Sequence, residues 1–162
     1  MKVGPAGHVD CWPGAPDCPG LYVVALTHLE PIPVNAGDRR LAARCIKVDH
    51  TNCKFGKSRN LALRQRAYWR TFGREFVRFR PIALLEDIDA AERSVLARLS
   101  AWRVRGSTGR PNEWLAGISA SEVEQIAVRV LAQSGIEFRA FDVADWPGPE
   151  ATGHDTPRPP GT

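Results

Sequence analysis

From Leu21 onward, apolar positions fall into short runs and alternations, and the shifts between them mark the elements. Leu21-Tyr22-Val23-Val24-Ala25-Leu26 is an unbroken apolar run with two valines, which predicts a buried strand. Pro31, Pro33 and Asn35-Ala36-Gly37-Asp38 predict a loop. Arg44 to Asp49 reads as a strand, and Asn52 to Gly56 as another, or as its continuation past a turn. Ser58 is placed to cap a helix that runs to about Thr71 and stops at Phe72-Gly73. Glu75 to Leu85 alternates through Phe76, Val77, Phe79, Ile82 and Leu84, a strand in which Pro81 forces an edge or a bulge. Asp87 or Asp89 opens the next helix, whose apolar stripe is Ile88, Ala91, Val95, Leu99 and Trp102. Gly106 to Pro111 is expected to be a loop. Ser121 with Glu124 forms a capping box for a third helix that ends at Gly135, and Ile136 to Phe141 is a last short strand. Strand, strand, helix, strand, helix, helix, strand is the order of a small α+β domain.

Composition sets the limits of that domain. Residues 1–19 are rich in Pro and Gly and predict an extended or disordered arm; residues 144–162 carry five prolines and predict a flexible tail. The folded domain is then residues 20–143 of the 162, long enough for one real core. An apolar fraction of 43% and a charged fraction of 25% are ordinary for a globular protein. No stretch is apolar enough to span a membrane and the first residues are not a signal peptide, so a cytoplasmic protein without a membrane partner is expected. Cys11, Cys18, Cys45 and Cys53 lack zinc-site spacing, and Cys45 and Cys53 are expected to be small buried strand residues.

The net charge of +4 is modest but unevenly placed. Between Lys54 and Arg80 there are nine Lys or Arg against one acid, Glu75, a patch that attracts polyanions, nucleic acid first, or is a solvated basic face. Within it Lys57 and Ser58 are expected at a helix N-terminus, where free N–H groups favour an anion. Arg64 and Tyr68 are four residues apart and share a helix face. A guanidinium there grips phosphate oxygens, and a phenol can orient or deprotonate water if cations lower its pKa. Arg66 and Arg70 point elsewhere on that helix, toward a nucleic-acid backbone or solvent. Glu92 sits at the edge of the next helix's apolar stripe; it suits a hard divalent cation, although Asp89-Ala90-Ala91-Glu92 also fits a capping box. Asn112 and Glu113 precede Trp114-Leu115 in an expected loop, where either polar group completes a site or Trp114 simply anchors the loop.

In order along the chain, these residues resemble the GIY-YIG nuclease superfamily. Gly20-Leu21-Tyr22 stands where the family has Gly-Ile-Tyr, and Lys54-Phe55-Gly56 where it has Tyr-Ile-Gly. Gly56-Lys57-Ser58-Arg59-Asn60-Leu61, with Arg64 ten positions after Lys54, is similar to the UvrC-type excision nuclease domain. Glu92 matches the metal-binding glutamate, and Asn112-Glu113-Trp114-Leu115 the closing motif of the phage-type T5orf172/Mug113 branch. The resemblance covers residues 20–118. It implies a central three-stranded antiparallel sheet flanked by helices and metal-dependent hydrolysis of DNA phosphodiesters. In that scheme Tyr22 activates water, Arg64 and Lys57 balance phosphate charge, Tyr68 assists proton transfer, and Glu92 holds one Mg2+ or Mn2+. Lys54, Arg59, Arg66, Asn112 and Glu113 would contact the substrate. Lys54 in place of the second signature tyrosine leaves open a catalytically inactive nucleic-acid-binding module on the same fold. A protein-interaction domain with a basic face is a third reading. A homodimer would allow a double-strand cut, a monomer only a nick.

Overall fold

The structure, a computed structural model, describes residues 15–34, 46–106, 109 and 111–141. The expected arm up to residue 14 (with Cys11), residues 35–45 of the first long connection (with Cys45), residues 107, 108 and 110, and the tail from residue 142 lie outside the described residues.

Eight strands and three α-helices are described. The strands are β1 Gly20–Leu26, β2 Ile32–Pro33, β3 Lys47–Val48, β4 Asn52–Ser58, β5 Val77–Leu84, β6 Arg103–Arg105, β7 Pro111–Ala116 and β8 Arg139–Ala140. The helices are α1 Leu61–Phe72, α2 Ile88–Arg98 and α3 Ala120–Ser134. An α+β class is therefore correct, but the sheet is larger than the resemblance implied. It has six strands in the order β6-β7-β4-β1-β5-β8, all pairs antiparallel, and β2 pairs β3 in a separate ribbon. The strand expected over Ile136 to Phe141 is present as β8, while β6 and β7 escaped the sequence pattern for a physical reason. Arg103–Arg105 at the sheet edge and Pro111-Asn112-Glu113 at the start of β7 are polar segments with no run of apolar alternation.

Strand alternation divides the core into two layers. Leu21 and Val23 of β1 and Cys53 and Phe55 of β4 face α2 and α3, where Ile88, Ala91, Val95, Val123, Ala127 and Leu131 complete one cluster. Tyr22, Val24 and Leu26 face the other way, against Leu61, Tyr68 and Phe72 of α1, with Phe79 and Trp114 beside them. Cys53 is buried in its strand as expected, and burial pushes its thiol up to about 11. The Pro81 bulge is also present. Leu21 faces Ala83 while Tyr22 faces Pro81, so Ile82 is the extra residue and adjacent Ile82 and Ala83 both enter the α2–α3 core.

Two helix starts differ from expectation. Asn60, not Ser58, caps α1, its side chain accepting from Leu63 N at 3.0 Å. Ser58 ends β4 and uses its hydroxyl locally, donating to Asn60 O at 2.8 Å. The capping box of α3 pairs Ser119 with Glu122, two residues earlier than Ser121 with Glu124; Glu124 instead meets Arg80 at 3.0 Å. Asp87 caps α2, and Gly135 ends α3 in the left-handed region at φ 72°.

Candidate active site

The site is built where β1, β4, α1 and β7 meet. Tyr22 lies opposite Gly56 in the β1–β4 ladder, and its ring lies across that glycine. A Cβ on residue 56 would stand 2.6 Å from the Tyr22 hydroxyl and 2.7 Å from Cζ, so only glycine leaves the ring its place. Phe79 stacks on the far side of that ring at 4.7 Å between centroids. The Tyr22 hydroxyl then meets the Tyr68 hydroxyl at 2.9 Å. These are the only two tyrosines in the chain, 46 residues apart.

Both phenols are buried, Tyr22 at 2% exposure and Tyr68 at 7%. Burial, more than any neighbour, raises both pKa values: Tyr22 is driven far above the ordinary phenol value and Tyr68 is pushed up to about 12. Either hydroxyl can donate in their mutual bond. Arg64 lowers both, and Lys54 lowers Tyr22. Tyr68 lines a hollow of about 340 Å³ together with Val34, Lys54, Arg64, Ala67, Asn112 and Trp114; Tyr22 sits behind it and does not line the hollow. Lys54 Nζ lies 5.7 Å from the Tyr68 ring centroid and 3.2 Å from Glu113.

Lys57, Asp89 and Glu92 form a second group. Lys57 shares strand parity with Cys53 and Phe55, so it projects to the α2 side of the sheet. There its ammonium lies 2.7 Å from Asp89 and 3.0 Å from Glu92. Those bonds, Asp89 first, raise the Lys57 pKa, and Lys57 in turn holds Asp89 below its ordinary value. Lys57, Asp89, Glu92, Arg93 and Arg103 line a hollow of about 560 Å³. Arg59 approaches Asp89 at 3.8 Å.

The expected site residues thus divide between two hollows: Tyr68, Lys54, Arg64 and Asn112 line one, Lys57 and Glu92 the other. They border each other at a split in the sheet. β7 pairs with β4 only from Asn52 to Lys54, opposite Trp114 to Ala116, which leaves residues 55–58 and 111–113 unpaired with each other. On the far side of β7 from this split, Arg103 of β6, which lines the second hollow, donates from Nε to the carbonyl of Asn112 of β7, which lines the first, at 2.7 Å. Asn112 and Glu113 therefore lie on a strand, not in a loop; the Asn112 side chain accepts from Trp114 N at 3.2 Å.

The expected anion site at a helix N-terminus is not there. Lys57 belongs to β4, and the first N–H groups of α1 are already taken. Leu61 N donates to Cys18 O, Ala62 N to Pro16 O and Leu63 N to Asn60 Oδ1. Asp17 also accepts from the Asn60 side chain, and Ala15 N donates to Gln65 Oε1 at 2.8 Å. Arg66 is exposed on the outer side of α1, away from both hollows.

Among the described residues no group of three or more His, Cys, Asp and Glu side chains gathers to hold a metal. Asp89 and Glu92 do converge on one cation-sized point, held by the Lys57 ammonium, and oxygen donors of this kind suit a hard divalent ion with water completing its shell. Sequence reasoning gave Asp89 only a capping role and did not single out Arg103. The Asp89-x-x-Glu92 spacing on one helix face was the available signal for Asp89; Arg103 carried none.

Comparison with family models, with curated proteins and with solved structures found no match. No helix of the described residues is long and apolar enough to cross a membrane.

Proposed function

We propose that this chain is a metal-dependent DNA endonuclease of the GIY-YIG type, with the phosphodiester seated at the split between β4 and β7. The observation that carries the reading is that Lys54, Arg64 and Tyr68 line one hollow with Tyr22 bonded to Tyr68 behind it, four residues spread over 47 positions. A nuclease needs cations at the phosphate and a proton-handling group beside them. Arg64 and Lys54 supply the first and Tyr68 the second.

In this arrangement the two phenols have different parts. Tyr68 faces the hollow and orients the attacking water or the leaving oxygen. Tyr22 is a positioning residue that acts through its hydroxyl on Tyr68. At neutral pH both are protonated, because burial raises both. Water deprotonation by Tyr68 therefore requires that bound cations bring its pKa down. Lys57, Asp89 and Glu92 approach the same substrate from the other side of the split. When bound there, Mg2+ or Mn2+ supplies charge neutralisation at the phosphate oxygens, with Asp89 and Glu92 to hold it.

The second reading is a nucleic-acid-binding module without catalysis. It is favoured by Lys54 in the place of a signature tyrosine and by the ion pairs that tie both Lys54 and Lys57 to carboxylates. Incubation of a supercoiled plasmid with the protein, with Mg2+ or Mn2+ and with a chelator, separates the two. Metal-dependent nicking supports the endonuclease. Retention of DNA without nicking in either metal supports the binding module.

A further inference from the structure

The outer face of α1 carries cations that neither hollow uses. Arg66, Arg70 and Arg74 are exposed; Arg66 and Arg70 are one turn apart on the same face of α1, and Arg74 follows just past the helix end at Gly73. No carboxylate among the described residues lies within ion-pair distance of any of the three. α1 itself contains no acidic residue. Arg66 and Arg70 at this spacing repel each other. Arg74 is held in place: its guanidinium lies 4.4 Å from the centre of the Trp69 ring. A stacked guanidinium is already ordered and loses less freedom when it binds an anion.

None of the three lines the first hollow, but Arg66 and Arg70 are carried by the helix that does. Arg64, Ala67 and Thr71 line the hollow from one flank of α1, while Arg66 and Arg70 occupy the neighbouring outer face. Arg66 and Arg70 lie about 6 Å apart along the helix axis, roughly two phosphate steps of one DNA strand at 3.4 Å per step. From this geometry we propose that Arg66, Arg70 and Arg74 form a backbone-binding track for phosphates outside the scissile one. The substrate is then an extended polynucleotide, not a short oligonucleotide or a small phosphodiester. This inference rests on the endonuclease reading for the identity of the polyanion, and its test does not depend on cleavage.

The test is the salt dependence of binding to a duplex longer than the helix, measured in a chelator. Wild type is compared with the Arg66→Ala/Arg70→Ala/Arg74→Ala variant and with the corresponding triple Arg→Lys variant. Loss of three phosphate contacts makes the slope of log K against log salt shallower by about 2 to 3. The Ala variant is expected to show that change and at least a tenfold weaker affinity at moderate salt, while the Lys variant keeps the wild-type slope. An Ala variant with the wild-type slope and affinity overturns the track, as does a wild type with no affinity for duplex at low salt. A wild type that binds with the expected slope differences yet never nicks DNA leaves the track supported and overturns the nuclease reading.

Discussion

The hydroxyl of Tyr22 lies 2.9 Å from that of Tyr68, inside a sheet–helix interface that leaves neither ring more than 7% exposed. A buried hydroxyl that loses its partner keeps its desolvation cost, whereas two rings of the same shape without hydroxyls do not. Tyr22→Phe and Tyr68→Phe should each destabilise the fold by about 1 to 3 kcal/mol, and the double variant by less than the sum. Urea unfolding of the four proteins measures this. Strict additivity would mean that the two hydroxyls do not share a bond.

Alkaline titration reads the same pair. Folded Tyr68 has its pKa raised to about 12, and Tyr22 is raised further. The folded state therefore favours the protonated phenols. That contribution is complete below the unfolded phenol value of about 10 and is lost as pH climbs through the folded values. Because the chain has two tyrosines and both are in this pair, phenolate absorbance reports the site directly. Little phenolate is expected at pH 10, with its appearance and unfolding together at higher pH. Half-ionisation near pH 10 in a still-folded protein contradicts the burial of the pair.

Gly56→Ala places a methyl carbon 2.6 Å from the Tyr22 hydroxyl. The ring is hemmed in by Phe79 at 4.7 Å and by Tyr68, so it has little room to yield. A loss of about 1 to 3 kcal/mol is expected, together with a fall in nicking activity, because displacement of Tyr22 also displaces the partner of Tyr68. Unchanged stability would show that the ring does not lie over residue 56.

Lys57 holds the point on which Asp89 and Glu92 converge. Its removal should leave both carboxylates available to a divalent ion. Lys57→Ala is expected to bind Mn2+ more tightly than wild type while losing nicking activity, and Glu92→Gln to lose both. Calorimetric titration with Mn2+ gives the affinities. Acid acts on the same cluster: Asp89 is held below its ordinary value by Lys57, so this pair's contribution stands above the usual carboxylate range and disappears as pH falls through the lowered value. Mn2+ affinity that is unchanged in Lys57→Ala removes Asp89 and Glu92 as a cation site.

The parts of this fold that were legible in the sequence are those with strong apolar patterning. The run from Leu21 to Leu26, the stripe of α2 and the glycine stop of α3 all appear at or near their expected places. The bulge at Pro81 was legible because proline cannot donate to the ladder. Strands β6 and β7 were not, since sheet pairing there is set by neighbours and not by alternation. Within the site, helical spacing put Arg64 and Tyr68 on one face of α1, while the hydroxyl contact with Tyr22 depends on the β1–β4 register. The engaged N-terminus of α1 could not be read at all. Its partners, Pro16 and Cys18, come from a Pro/Gly-rich stretch without periodicity.

Nicking of supercoiled DNA in Mg2+ by wild type, Arg64→Ala, Tyr68→Phe and Glu92→Gln tests the proposed site most directly. Wild type should nick, with activity lost in the chelator. Each variant should fall by at least a hundredfold while still binding DNA, since removal of one preorganised stabilising group costs about 10²- to 10³-fold in rate. A wild type that nicks in Mg2+ beside three variants that nick equally well contradicts the assignment of this site.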